Sequence, residues 1–337
     1  MSDDSRIEWT DATWNPVVGC SKVSEGCRHC YAMKVAHRNA AMGSERYKGL
    51  TEKCSSGVEW NGTVQTVPQV LDQPLRWKRP RKIFVNSMSD LFHPDVPFEF
   101  IRDVFLVMGK AHQHTFQILT KRPERMLEWF QWMPGYGDAM HGGGSMTTHE
   151  EILSWPLPNV WLGVSVENQQ TADERIPLLL QVPAAVRWLS MEPLLGPVNI
   201  EKYLMVSITD IGNDRDPNIN IDWVVVGGES GSRARPMHPD WVRSIQHQCY
   251  NRWCWFFFKQ WGEWKPVHHV SHPNWCTDIE GPIAIMDAKG MRWEDEDFQP
   301  TTDAMPTCWE FQRIGKKASG RLLDGRTWDE MPKVSSC

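Results

Sequence analysis

Six short runs of this chain share one grammar, and that grammar limits the folds open to it. KIFVNSMSD (82–90), TFQILTKRP (115–123), NVWLGVSVEN (159–168), VRWLSMEP (186–193), DWVVVGGESG (222–231) and CWFFFKQWG (254–262) each begin apolar and then break into small, polar or charged residues. They are too continuously apolar for strands with one wet face, so they read as parallel strands covered on both sides. Amphipathic segments at 97–112, 122–133, 171–182 and 238–251 fall between them. Asp240 and Thr171 stand where helix N-caps belong, and Pro94 and Pro97 punctuate the entry to the first helix. Strand alternating with helix predicts right-handed βα units on a parallel sheet. With the segment before residue 19 as a first strand, six or seven such units curve into a partial or full α/β barrel. Its site would gather at the carboxyl ends of the strands.

The 337 residues allow one large domain or two smaller ones. We expect a barrel over 1–262, with inserts at 134–151 (glycine-rich) and 207–220 (polar), and a C-terminal extension over 263–337 packed on it. Residues 265–308 read as an irregular Trp- and Pro-containing stretch. An apolar fraction of 41% with 23% charged residues excludes global disorder. A formal charge of −6 argues against a protein that coats nucleic acid through an all-basic surface, but it leaves room for a local basic groove. RWKRPRK (76–82) and GKKASGR (315–321) are the basic stretches. They could approach phosphates, and their plainer reading is solvated surface. No apolar run reaches the roughly 20 residues that span a bilayer, and MSDDSRIEW lacks the basic start and apolar stretch of a signal peptide. A cytoplasmic location is therefore the expectation. There, nine cysteines, an odd number, read as metal ligands or reactive groups rather than a disulfide framework.

Three of the nine fall in GCSKVSEGCRHCYA (19–32), at Cys20, Cys27 and Cys30. A structural zinc site prefers four protein ligands, so three would need His29, His37 or a distant cysteine to close it. A four-iron cluster held by three thiolates keeps one iron open for a substrate or cofactor. Small buried hydrophobes are the third reading. Cys249, Cys254, Cys276 and Cys308 match no compact ligand motif. They read as structural, with an auxiliary metal site as the alternative.

The spacing C-x6-C-x2-C-Y after a first strand resembles the radical S-adenosylmethionine (SAM) superfamily. WTDATWNPVVGCSKVSEGCRHCYA, FVNSMSDLFHPDVP, LTKRPERM, WLGVSVENQ, RWLSMEPLLGP, VVVGGESG, FFFKQWGEW and GKKASGRLLDGRTWDEMP together resemble its bacteriophage-type three-Cys-motif family, from about residue 8 to 332. The resemblance implies a partial (β/α)6-like barrel with insertions and a C-terminal extension. It also implies a [4Fe-4S] cluster on Cys20, Cys27 and Cys30, with SAM chelating the fourth iron. Tyr31 matches the aromatic residue beside the adenine, although a core position in the following helix would explain it equally well. The pattern departs from the superfamily in its six-residue first interval and in lacking GGE after the second strand. NSMSD stands there instead, so Ser87, Ser89 and Asp90 become candidates for contacts to SAM.

A literal GGES occurs late, where Gly227 and Gly228 permit close backbone approach and Glu229 would face the same rim. Its plainer reading is a turn with a solvated acid. The other strand ends supply Lys121, Arg122, Ser165, Glu167, Glu192 and Lys259. We take Glu229, Glu192 and Lys121 as catalytic candidates, and Tyr31, Ser87, Ser89, Asp90, Ser165, Glu167, Gly227 and Gly228 as cofactor contacts. Salt bridges across the strand ends are the competing explanation for the charged members. The resemblance further implies a flavodoxin- or ferredoxin-like reductant and radical modification or repair of a nucleobase in DNA or RNA. A peptide or small-metabolite substrate is the alternative within enzymes, and a non-catalytic zinc-stabilised adaptor is the alternative outside them.

Overall fold

The computed structural model describes residues 5, 7–55, 57–136, 145–147, 152–204, 220–270, 283–290 and 308–333. Seven strands form its main sheet: β1 (Ala12–Trp14), β2 (Lys82–Val85), β3 (Thr115–Thr120), β4 (Val160–Ser165), β5 (Val186–Met191), β6 (Trp223–Gly227) and β7 (Trp255–Gln260). They lie side by side in chain order. The pairs β1–β2, β2–β3, β3–β4 and β6–β7 run parallel, with Ala12 opposite Ile83 and Val164 opposite Thr120. Every residue of β4 and β6 is buried, as strands covered on both faces require. All six apolar runs and the segment before residue 19 thus become the strands that the sequence predicts.

The main helices are α1 (Tyr31–Ala41), α2 (Phe98–Lys110), α3 (Pro123–Trp132), α4 (Gln169–Leu179) and α5 (Pro239–Asn251). Two expected caps are displaced. At α4 the cap is Asn168, whose Oδ1 accepts the Thr171 N–H at 3.0 Å. Thr171 lies inside the first turn, and its Oγ1 accepts the Glu167 and Asn168 N–H groups in return. This is a capping box with threonine in the reciprocal position. At α5 the cap is His238, whose Nδ1 accepts the Asp240 N–H at 3.2 Å. Pro239 holds the first helical position, so Asp240 falls two places past the cap and pairs with Arg243 at 2.9 Å.

The chain divides into two compact units. One comprises Met1–Ser165, Glu174–Leu189 and Pro332–Cys337; the other comprises Val166–Asp173 and Ser190–Met331. In the first, tryptophan fills the large core positions. Trp14, Trp129, Trp161 and Trp188 are fully buried, and Phe105 stacks on Trp129 with centroids 4.4 Å apart. Burying each such ring contributes about 4–6 kcal/mol of transfer free energy. Gly163 leaves room for Trp188, because a β-carbon there would stand 2.5 Å from its indole.

In the second unit, residues 265–308 are not irregular throughout. β8 (Trp264–Val270), β9 (Ile283–Met286) and β10 (Cys308–Arg313) form an antiparallel sheet in the order β8-β10-β9. The alternation that marks these strands is interrupted in sequence by 271–282 and 291–307, which lie outside the described residues. The tail lies along β7. Phe258 N–H donates to the Trp328 carbonyl at 2.9 Å, and Phe256 N–H donates to Glu330 Oε2 at 3.1 Å. An otherwise open edge strand is thereby covered. The expected inserts at 134–151 and 207–220 fall largely outside the described residues.

Candidate functional site: a three-thiol loop and a set of carboxylate–cation pairs

The cysteine loop belongs to the first unit. Gly19 takes φ +86°, and a β-carbon there would lie 2.1 Å from the Thr63 carbonyl oxygen, so only glycine can turn the chain into Cys20. Gly19 bridges to Ser89, the Ser89 hydroxyl donates to the Val17 carbonyl at 2.7 Å, and Asn86 at φ 61° accepts the Val17 N–H. The NSMSD loop is thus fastened beside the cysteine loop. Cys27 closes a short 3-10 turn (Glu25–Cys27), and Cys30 stands immediately before α1.

All three thiols are free and partly buried. They lie within electrostatic reach of one another through Cys30: its neighbour Cys27 pushes the Cys30 thiol up, and Cys30 pushes Cys20 up. Burial is the largest influence on both. It raises Cys30 against the opposing pull of the Ala32 and Met33 N–H groups at the helix start and of Lys121. Cys20 is pushed up to about 12 by burial and then by Asp90, with the Arg122 guanidinium opposing.

Arg122 and Asp90 form a buried pair at 3.0 Å behind Cys20. Asp90 also accepts from Phe92 N–H, Thr120 Oγ1 and Lys121 N–H at 3.0, 2.8 and 3.1 Å. Arg122 Nη1 reaches Cys20 Sγ at 3.8 Å, and Nη2 donates to both the carbonyl and hydroxyl of Ser21 at 2.9 Å. Burial disfavours the Arg122 charge, but Asp90 and Cys20 outweigh it and hold its pKa above the ordinary value. Buried His93 accepts the Asp95 N–H on Nδ1 at 3.3 Å. That assigns the proton of the neutral ring to Nε2, 2.8 Å from Ser21 Oγ. Burial, then Arg122, lowers the His93 pKa.

The second unit holds carboxylates closed on cations. Glu229 is gripped by Arg235 through Nη2 to Oε1 at 2.8 Å and through Nε and the backbone N–H to Oε2 at 2.9 and 2.8 Å. Glu192 pairs with Lys259 at 2.8 Å and accepts from the Ser190 hydroxyl at 3.2 Å. The glycines of GGES have packing reasons of their own. A β-carbon on Gly227 would meet Glu192 Oε1 at 2.8 Å, and one on Gly228 would meet the Trp261 carbonyl oxygen at 2.0 Å.

The structure brings Tyr31, Ser87, Ser89, Asp90 and Lys121 together with the cysteines. Tyr31 is 53% exposed, which removes the core-aromatic reading, and its hydroxyl donates to the Ser87 carbonyl at 2.8 Å. Ser87 Oγ donates to Asn15 at 3.1 Å. Ser165 is buried at the end of β4, its carbonyl accepting from Arg175 at 2.8 Å. Glu167 is buried in the second unit beside the α4 cap. Glu229 is buried too, so the reading of a solvated acid fails there. Cys249 and Cys254 are buried neighbours, with the Cys254 thiol raised by burial and then by Cys249. Cys308 is buried in β10, and Cys276 lies outside the described residues. Sequence reasoning underrated Arg122 and missed Ser21 and His93; the Arg122 signal was an arginine two residues past the end of β3, directly after Lys121.

Among the described residues, no three His, Cys, Asp or Glu side chains stand as a ready metal-ion set. Cys20, Cys27 and Cys30 are the residues that would hold a metal or cluster in the 20–30 loop. Their chemistry suits one: soft donors, helix-start amides at Cys30, and Lys121 and Arg122 to offset thiolate charge. No described helix is long and apolar enough to cross a membrane.

Fold and site together define a mixed α/β protein with a parallel sheet and a loop of three free thiols backed by a buried Arg–Asp pair. Residues 4–332 match the sequence model of a family described as proteins of unknown function (DUF5131), and the chain belongs to that family. No curated protein and no solved structure matches it.

Proposed function

We propose that this chain is a radical SAM-type enzyme in which Cys20, Cys27 and Cys30 hold a [4Fe-4S] cluster with one iron left open to SAM, on a partial α/β barrel. The observation that carries the reading is one loop presenting three free thiols, linked electrostatically through Cys30, with cations beside two of them. When bound, cluster and SAM supply one-electron reductive cleavage of the sulfonium and a 5′-deoxyadenosyl radical that takes hydrogen from a substrate.

The chain's own residues bind, orient and hold protons. Tyr31, tied to Ser87, is an exposed aromatic face next to the third thiol, suited to an adenine. Lys121 supplies a cation near Cys30 for a carboxylate. Glu192 and Glu229 present carboxylates that Lys259 and Arg235 orient until a substrate group competes for them.

The substrate we favour is a nucleobase in DNA or RNA. Five of the seven residues 76–82 are cationic, in a chain of net charge −6. The segment is fixed by His114 and Gln113, which bond the Trp77 carbonyl at 3.1 and 3.2 Å, and Arg81 stacks on the Trp77 ring at 5.1 Å. A rigid basic segment of this kind suits a phosphate backbone.

The test is anaerobic purification with iron and sulfide analysis, then reduction with dithionite in the presence of SAM. Four irons per chain and release of 5′-deoxyadenosine are expected. One zinc per chain with no cleavage would replace this reading with the zinc-stabilised adaptor.

A further inference from the structure

We propose that Arg122 is a positioning residue that sets the electronic environment of Cys20, making the first cysteine electrostatically distinct from the other two. The inference rests on the cluster reading above and concerns residues that lie outside the C-x6-C-x2-C motif.

The guanidinium is fixed on every side. Nη1 bonds Asp90 Oδ2 at 3.0 Å while facing Cys20 Sγ at 3.8 Å, and Nη2 bonds the Ser21 carbonyl and hydroxyl at 2.9 Å. The Arg122 backbone N–H donates to Thr120 Oγ1 at 2.9 Å, and the same hydroxyl donates to Asp90 at 2.8 Å. Both Arg122 and Asp90 are more than nine-tenths buried. A buried charge held by this many bonds cannot swing away when the sulfur changes its charge.

The three thiols differ accordingly. Cys27 has the Ser24 hydroxyl 3.9 Å from its sulfur, and Cys30 stands at the start of α1. Among the described residues, Cys20 is the one of the three that receives a guanidinium N–H. Asp90 lies on the same side and, left alone, would oppose negative charge on Cys20. Arg122 stands between them, neutralising the carboxylate and donating to the sulfur. Hydrogen bonds to cluster sulfurs and positive charge nearby favour the reduced form.

The consequence is a potential that depends on the Arg122 charge and on its balance with Asp90. The experiment compares wild type, R122Q, R122K and the double variant D90N/R122Q after anaerobic reconstitution. Iron and sulfide per chain are measured, followed by redox titration monitored by electron paramagnetic resonance. In R122Q the ratio of reduced to oxidised cluster at a fixed poise should fall about tenfold, a shift of about 59 mV toward more negative potential. R122K, which keeps the charge without the fork, should fall between wild type and R122Q. The double variant should recover most of the loss, because removing the Asp90 charge removes what Arg122 had compensated.

A merely structural Arg122 would show no such recovery. An R122Q potential equal to wild type, or a loss left unrestored by D90N, overturns the proposal. Should R122Q take up no cluster, R122K and the double variant carry the comparison, and cluster uptake by neither also overturns it. A wild-type chain that takes up no iron and sulfide overturns the cluster reading itself, a result separable from any difference among variants.

Discussion

The two charged regions of this molecule treat buried charge in opposite ways. In the second unit two carboxylates are each closed on a cation: Glu229 on three donors of Arg235, and Glu192 on Lys259. In the first, one guanidinium is divided among a carboxylate, a serine and a thiol. Closed pairs are complete without a ligand and yield only to a competing charge. A divided cation leaves part of its field directed at a sulfur, which gains most from it when that sulfur is ionised. The thiol loop is therefore the better candidate for holding a charged inorganic group, and the closed pairs are better suited to orienting an organic one.

The largest expected effect tests that division directly. Cys27→Ala should abolish both cluster uptake and 5′-deoxyadenosine formation, whereas Glu229→Ala should keep full iron content and lose turnover. An intact, active cluster in the Cys27 variant would sink the assignment. Iron loss in the Glu229 variant would show that the second region is not separate in function from the first.

Stability gives a second contrast. Asp90→Ala leaves Arg122 buried without its partner and should cost about 3–5 kcal/mol in chemical denaturation. Glu229→Ala strands an Arg235 side chain that is 26% exposed and can rehydrate, so about 1–2 kcal/mol is expected. Equal losses would mean that the first pair is no drier than the second.

The fold was far more legible in the sequence than the site. Strand runs such as DWVVVGGESG announce themselves because burial on both faces demands continuous apolar residues. The cap positions at His238 and Asn168 were missed because a histidine ring and a box with threonine are less common solutions to the same bonding need. β8 to β10 escaped because their pairing joins segments separated by long connections. At the site, the cysteine spacing was plain, since three thiols in one loop have few uses. The role of Arg122 was not, because it depends on where the end of β3 meets Ser21, about a hundred residues away in sequence. GGES carries two readings at once: its glycines suggest ligand approach, and Glu192 and the Trp261 carbonyl give them a packing reason as well.

Alanine at each of the two glycines separates packing from ligand approach. Gly228→Ala drives a β-carbon into a backbone oxygen, which cannot rotate away, and should cost about 1–3 kcal/mol. Gly227→Ala meets the end of the Glu192 side chain, which can move, so the stability loss should be smaller while the Glu192–Lys259 pair is displaced. Thermal unfolding of the two variants in parallel decides it. A Gly227 variant of full stability that fails to bind SAM would favour the cofactor-contact reading of these glycines.

The smallest effect concerns pH and isolates the thiol region. Burial and Arg122 hold the His93 pKa below its ordinary 6.5 in the folded chain. Above pH 6.5 the ring is neutral in both states, and its contribution to stability is fully present. As pH falls below 6.5, the unfolded chain takes up the proton first, so stability is lost progressively toward the lower folded value, by up to about 1.4 kcal/mol per pH unit for each such group. His114, lowered chiefly by burial in the same unit, adds the same sign. His93→Gln should therefore remove about half of the acid-induced fall in unfolding midpoint between pH 7.5 and 5.5, and it leaves the second unit's ion pairs untouched. If the variant loses as much stability on acidification as wild type, the proton is entering elsewhere. The bond from His93 to Ser21 would then not be part of what holds the cysteine loop against Arg122.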